Sequence, residues 1–130
     1  MTNPRILIVD DSSVMRKMVE RTLRLAGIVP EQVLEAGDGI SALGLLAGNG
    51  VDLVLCDINM PVMDGLEFLR QMQALPTGKG VPVVMITSEG SENHVVEAVA
   101  AGARGYIRKP FSAEQVKEQI VPVLEAACQR

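Results

Sequence analysis

The run from Val51 to Asp57, VDLVLCD, is apolar apart from Asp52 and stops on a carboxylate. A short apolar run bounded by turn signals reads as a strand buried on both faces of a parallel sheet. The loop after it carries Asn59, Pro61, Asp64 and Gly65 and hands over to a helix. An acidic side chain at the carboxyl end of a central strand stands where open α/β sheets bind their ligands. This constrains fold and chemistry together, and the rest of the chain can be tested against it.

Four further strands alternate with helices. Arg5 to Asp11 (RILIVDD) reads as a buried strand closed by two acids. Ser12 or Ser13 can cap a helix running to about Ala26, with Gly27 as its stop. Met15, Met18, Val19 and Thr22 share one face of it, and Arg16, Lys17, Glu20, Arg21 and Arg24 form a solvated one. Gln32 to Ala36 is a second strand, and Ile40 to Ala47 a helix apolar at Ile40, Leu43, Leu45 and Leu46. After the central strand, Gly65 to about Leu75 is a helix with Leu66, Leu69 and Met72 inward. Pro82 to Thr87 is the fourth strand, His94 to Ala101 a helix, and Gly105 to Arg108 the fifth strand. Ser112 and Gln115 form a capping box for the last helix. Pro122 removes a backbone hydrogen bond and crowds the carbonyl of Glu118, so a kink or break is expected there. Five strands and five helices with short connections imply an α/β fold, a parallel sheet covered on both faces. Periodicity alone leaves the strand order open.

The 130 residues fit one domain, 1–130. Aromatic residues are 2% of the chain, too few for nucleic-acid stacking platforms, and the net charge of -4 disfavours a DNA backbone binder. Cys56 and Cys128 lack metal-ligand spacing and read as reduced thiols. With no signal peptide and no membrane-length apolar run, the expected location is the cytoplasm.

The strand ends carry the chemistry. They supply Asp10 and Asp11, Asp57, Thr87 with Ser88, and Lys109. Taken singly, a strand-end Asp is a turn former or helix cap, and Asp38 and Asp64 are assigned to that role. His94 has no second His beside it and reads as an exposed residue at a helix start. If the first and third strands are neighbours, three carboxylates share one pocket. Their repulsion then calls for a cation, and Mg²⁺ suits oxygen ligands with room for phosphate. A carboxylate beside Mg²⁺ and a lysine is a competent nucleophile toward phosphorus.

DD after the first strand, DINMPVMDG, MITSEG and GYIRKPF together resemble the receiver domain of two-component response regulators. The resemblance covers essentially the whole chain and is strongest to stand-alone chemotaxis regulators of the CheY type. It implies a doubly wound, flavodoxin-like sheet in the order 2-1-3-4-5. It implies that Asp57 accepts a phosphoryl group from a histidine kinase or an acyl phosphate. Asp10, Asp11, Asp57 and the Asn59 carbonyl then hold Mg²⁺. Lys109 pairs with the phosphoryl group and precedes a cis Pro110; Thr87 and Tyr106 are the switch pair. Asn59 and Glu89 tune the dephosphorylation rate, and a phosphoryl lifetime of seconds to minutes is expected. Such a protein is a switch without an output domain. It is not an enzyme beyond its own phosphorylation and dephosphorylation. The expected partners are a kinase, a target such as the flagellar switch and a phosphatase, with no DNA, no membrane and a monomeric state.

Other readings are weaker. A haloacid-dehalogenase-type phosphohydrolase needs a second Asp where Asn59 stands. A flavin or nucleotide module needs a glycine-rich loop where Asp10 and Asp11 stand. A stand-alone phosphorelay intermediate or kinase regulator remains the alternative within the family, and a degenerate binding scaffold conflicts with the complete reactive set.

Overall fold

The structure is a computed structural model that describes residues 3–128 except 59, 61, 62, 77, 79, 88–91, 110 and 111, with the backbone alone at 92–95, 127 and 128. Strands β1 (Arg5–Val9), β2 (Gln32–Ala36), β3 (Leu53–Asp57), β4 (Val83–Thr87) and β5 (Gly105–Arg108) form one parallel sheet in the order β2-β1-β3-β4-β5. Helices α1 (Ser13–Leu25), α2 (Gly39–Gly48), α3 (Gly65–Gln73), α4 (Glu92–Ala100) and a final pair, α5 (Ala113–Gln119) and α6 (Val121–Cys128), connect and cover it.

Strand periodicity divides the core in two. On one face Leu7, Val9, Val54, Cys56, Val83 and Met85 pack with residues of α2, α3 and α4. On the other, Ile6, Ile8, Leu53, Leu55, Val84 and Ile86 pack with residues of α1, α5 and α6. Successive residues of a strand face opposite ways, so strands covered on both sides must be apolar throughout. Leu53–Asp57 and Val83–Thr87 are buried at every position. In α3, Leu66, Phe68, Leu69 and Met72 are all buried. Full burial of Phe68 or Leu69 contributes about 1.5–3 kcal/mol each.

Caps set the helix starts. The side chains of Ser12, Asp38, Asp64 and Ser112 accept from the N–H groups of Met15, Ser41, Glu67 and Gln115. Gln115 Oε1 accepts from the N–H of Arg108, tying the edge strand to α5. The last helix breaks at Ile120, two residues before Pro122, and Leu124 N–H donating to Ile120 O opens the second segment.

Several packing expectations change. Val19 and Leu23 are the buried residues of α1, while Met18 is exposed and Met15 half-buried. Ile40 is exposed on α2, where Gly39, Ala42 and Leu46 face inward. Helix α4 begins two residues earlier than expected. Met60, in the loop after β3, is buried in the core.

Candidate phosphoryl-acceptor site

The chain leaves the carboxyl ends of β1 and β3 toward opposite sides of the sheet, since β1 is followed by β2 on one flank and β3 by β4 on the other. This is the switch point of a doubly wound fold, where a crevice opens between adjacent strand ends. The register pairs Val9 with Cys56, so the next residues, Asp10 and Asp57, emerge side by side. The carboxylates of Asp10, Asp11 and Asp57 each offer an oxygen, all within 4.8 Å of one another. Asp10 and Asp57 are buried and Asp11 is exposed.

Lys109 follows β5 and crosses to this cluster. Its Nζ lies 3.2 Å from Asp57 Oδ2 and 3.6 Å from Asp10 Oδ2. A backbone bond holds its start, with Lys109 N–H donating to Thr87 O at 2.7 Å. Among the described residues one ammonium, that of Lys109, lies against the carboxylates of Asp10 and Asp57. Burial, reinforced by the Asp57 charge, pushes the Asp10 carboxyl above the ordinary aspartate range, against the Ser12 N–H and the Lys109 ammonium. Asp10 Oδ2 is buried and makes no hydrogen bond among the described residues. A buried, electron-rich oxygen without a donor, beside two further carboxylates, is the coordination chemistry of a hard divalent cation.

Thr87 is buried at the end of β4 and its hydroxyl donates to Ile107 O at 3.4 Å, toward β5. Tyr106, one residue before Ile107, is 43% exposed. Burial pushes the Cys56 thiol well up, with the Asp57 charge adding to it, so it stays a protonated core group donating to Asp57 O. Asn59, Glu89 and Pro110, with the expected metal carbonyl, dephosphorylation tuning and cis bond, lie outside the described residues.

Residues 6–121 match the family described as response regulator receiver domain. The chain belongs to the receiver family of response regulators. Among its relatives, chemotaxis protein CheY-3 of Vibrio cholerae is 43% identical over 95% of this chain and 93% of its own. Chemotaxis protein CheY of Pseudomonas aeruginosa is 40% identical over 93% of this chain and 96% of its own. The structure of CheY4 from Vibrio cholerae superposes with a TM-score of 0.82 at 36% identity, covering 94% of this chain and 99% of that one. The receiver domain of a Pseudomonas aeruginosa sensor histidine kinase, with magnesium coordinated in its active-site cleft, gives 0.79 at 26% identity, covering 99% and 100%.

This receiver therefore has the predicted sheet and a CheY-like architecture, and it is a module of two-component signalling. Among the described residues no helix is long and apolar enough to cross a membrane.

Two features of the site escape a reading of motifs. Arg16, expected on the solvated face of α1, is largely covered and donates to both Asp10 O and Glu35. Gly65 packs so closely that a Cβ there would stand 2.5 Å from Asp57 O and 2.8 Å from Ile58 Cα. The first is a contact between elements distant in sequence. The second has a local sign, since a glycine opening a helix against a strand end suggests close backbone approach.

Proposed function

We propose that this receiver is a phospho-switch in which Asp57 is the phosphoryl acceptor. The supporting observation is the convergence of Asp10, Asp11, Asp57 and Lys109 at one sheet edge, with Asp10 Oδ2 left without a hydrogen-bond donor among the described residues. A carboxylate oxygen of Asp57 attacks phosphorus, the bond to the leaving imidazole or acetate breaks, and an acyl phosphate remains on Asp57. The donor is a histidine kinase or a small acyl phosphate. Asp10, Asp11 and Asp57, with the Asn59 carbonyl, would hold Mg²⁺. That ion supplies charge neutralisation for the phosphoryl oxygens when bound. Lys109 contributes a second positive charge from the β5 side.

The phosphoryl group adds negative charge and acceptor oxygens beside Thr87. The Thr87 hydroxyl leaves Ile107 O for these oxygens, and Tyr106 moves inward from its exposed position. The differential contact of Thr87 and Lys109 with the phosphorylated site shifts the population between two loop arrangements. Tyr106 with the exposed Val96 and Val99 of α4 then forms the surface that a protein partner reads. The chain is a switch rather than a turnover enzyme, one receiver domain acting as a cytoplasmic monomer, with a phosphatase or its own Asn59 and Glu89 limiting the signal. The chemotaxis names of its relatives support flagellar motor control as the output.

The test is incubation with acetyl phosphate and Mg²⁺, followed by intact mass. Wild type should gain one phosphoryl group and Asp57→Asn none. Absence of any adduct on wild type would remove the basis of the proposal. Phosphorylated protein should then capture flagellar switch proteins better than Asp57→Asn does. Equal capture would exclude the chemotaxis output while leaving the acceptor chemistry in place.

A further inference from the structure

Residue 10 is held at three points. Its N–H donates to Ala36 O on β2 at 3.1 Å. Its Oδ1 accepts from Ser12 N–H at 2.9 Å. Its carbonyl accepts from Arg16 Nη1 at 2.6 Å, the one of the three bonds that comes from a side chain. With these bonds made, Oδ2 is the oxygen of Asp10 turned toward Lys109.

Arg16 is itself fixed. Its Nε donates to Glu35 Oε1 at 3.0 Å, and Lys17 Nζ takes Glu35 Oε2, also at 3.0 Å. The arginine side chain is 18% exposed and the glutamate 28%, so this is a partly covered contact and not a loose surface pair. Glu35 lies on β2 opposite Ile8 of β1, two residues before the acidic turn. The planar guanidinium thus spans from α1 to β2, one edge on Glu35 and another on the Asp10 carbonyl.

We infer that Arg16 is a positioning residue of the Mg²⁺ site: it clamps the main chain of Asp10 so that the carboxylate is presented ready for the cation, and Glu35 orients the clamp. This rests on the proposed Mg²⁺ binding and deepens it. Residues that orient a metal ligand without touching the ion govern affinity because an unclamped ligand must be ordered when the metal binds. Lysine cannot replace the arginine fully, since a point charge lacks the fork that reaches two acceptors at once.

The competing role for Arg16 is a simple counter-charge to the acidic pocket, and the two roles predict opposite signs. Loss of a neighbouring positive charge tightens cation binding by Coulomb attraction. Loss of a clamp weakens it. Mg²⁺ titration of the unphosphorylated protein, followed by amide chemical shifts, separates them. Arg16→Met should raise the Mg²⁺ dissociation constant by about tenfold. Arg16→Lys, which keeps the charge, should fall between it and wild type. Glu35→Gln, which keeps an acceptor for Nε, should change it least. Acyl-phosphate labelling of Arg16→Met should recover as Mg²⁺ is raised, a change in the half-saturating concentration with little change in the limiting rate. An unchanged or lower dissociation constant in Arg16→Met overturns the inference, as does a fall in melting temperature with Mg²⁺ affinity intact. If Arg16→Met does not fold, Arg16→Lys decides: weaker binding supports the clamp and equal binding overturns it. Failure of wild type to bind Mg²⁺ would instead overturn the metal reading itself.

Discussion

Lys109 and Asp57, 52 residues apart in the chain, meet at an Nζ–Oδ2 distance of 3.2 Å at the carboxyl edge of the sheet. The contact joins β5 to β3 across β4, and it places a cation where negative charge would grow during phosphoryl transfer. Replacing Lys109 with Met removes that charge while keeping an unbranched side chain only one atom shorter. Labelling by acetyl phosphate at saturating Mg²⁺ should slow by about 100-fold, the usual scale for losing one charge-stabilising donor. An unchanged rate, read by intact mass over time, would show that Lys109 only balances the resting carboxylates.

Asp57→Asn should have a second effect, on stability. In the absence of metal, the described residues of wild type set three carboxylates close together beside one ammonium, and Asp10 is already pushed up by burial and by the Asp57 charge. Removing one negative charge relieves part of that repulsion. The melting temperature should rise by roughly 2–5 °C, corresponding to about 1 kcal/mol. Mg²⁺ should stabilise wild type further and Asp57→Asn less. A lower metal-free melting temperature in the variant would mean that the Lys109 ion pair outweighs the repulsion.

Gly65→Ala tests the tight seat of α3 against the end of β3. The new methyl would meet the backbone of Asp57 and Ile58 and the Met85 side chain, and backbone cannot swing aside. Overpacking of this kind costs about 1–3 kcal/mol, measurable as a lower urea midpoint with an unchanged slope. Because the displaced atoms belong to the proposed acceptor, Asp57, its labelling should slow in the same variant. Wild-type stability would show that the helix can slide away.

The Arg16–Glu35–Lys17 contact carries a pH signature. The Lys17 hydrogen bond holds the Glu35 carboxyl below its ordinary range; burial opposes it, and the Arg16 hydrogen bond adds a smaller pull in the same direction as Lys17. A lowered folded value means that the unfolded chain binds the proton more readily. The stabilisation is therefore full above the unfolded value, about pH 4.3, and is lost as the pH falls through the folded one. The stability difference between wild type and Glu35→Gln should be about 0.5 kcal/mol near neutrality and shrink below about pH 4. A difference that grows on acidification would contradict the sign.

Much of this molecule is local in origin. The apolar runs that end in Asp10, Asp57 and Thr87 could only be strands covered on both faces, and Ser12, Asp38, Asp64 and Ser112 begin helices by chemistry contained within four residues. The break near Pro122 is equally local: it settles at Ile120, which puts the proline in the first turn of α6, where its missing N–H costs least. The recurrence of four motifs in family order carried the strand order with it and marked Asp57 as the candidate acceptor.

Other features exist only in three dimensions. Helical periodicity identifies residues that can be buried together, but the tilt of a helix on the sheet selects which are. Met18 and Ile40 therefore face solvent while Leu23 and Phe68 do not. A parallel pairing leaves no mark in either strand, so the adjacency of β1 and β3 that joins Asp10 to Asp57 belongs to the assembled sheet. Arg16 is the clearest case. In the chain it is one more basic residue on an amphipathic helix. In the fold, β2 brings Glu35 under it and the turn after β1 brings the Asp10 carbonyl to its other edge, turning a solvated charge into a strut.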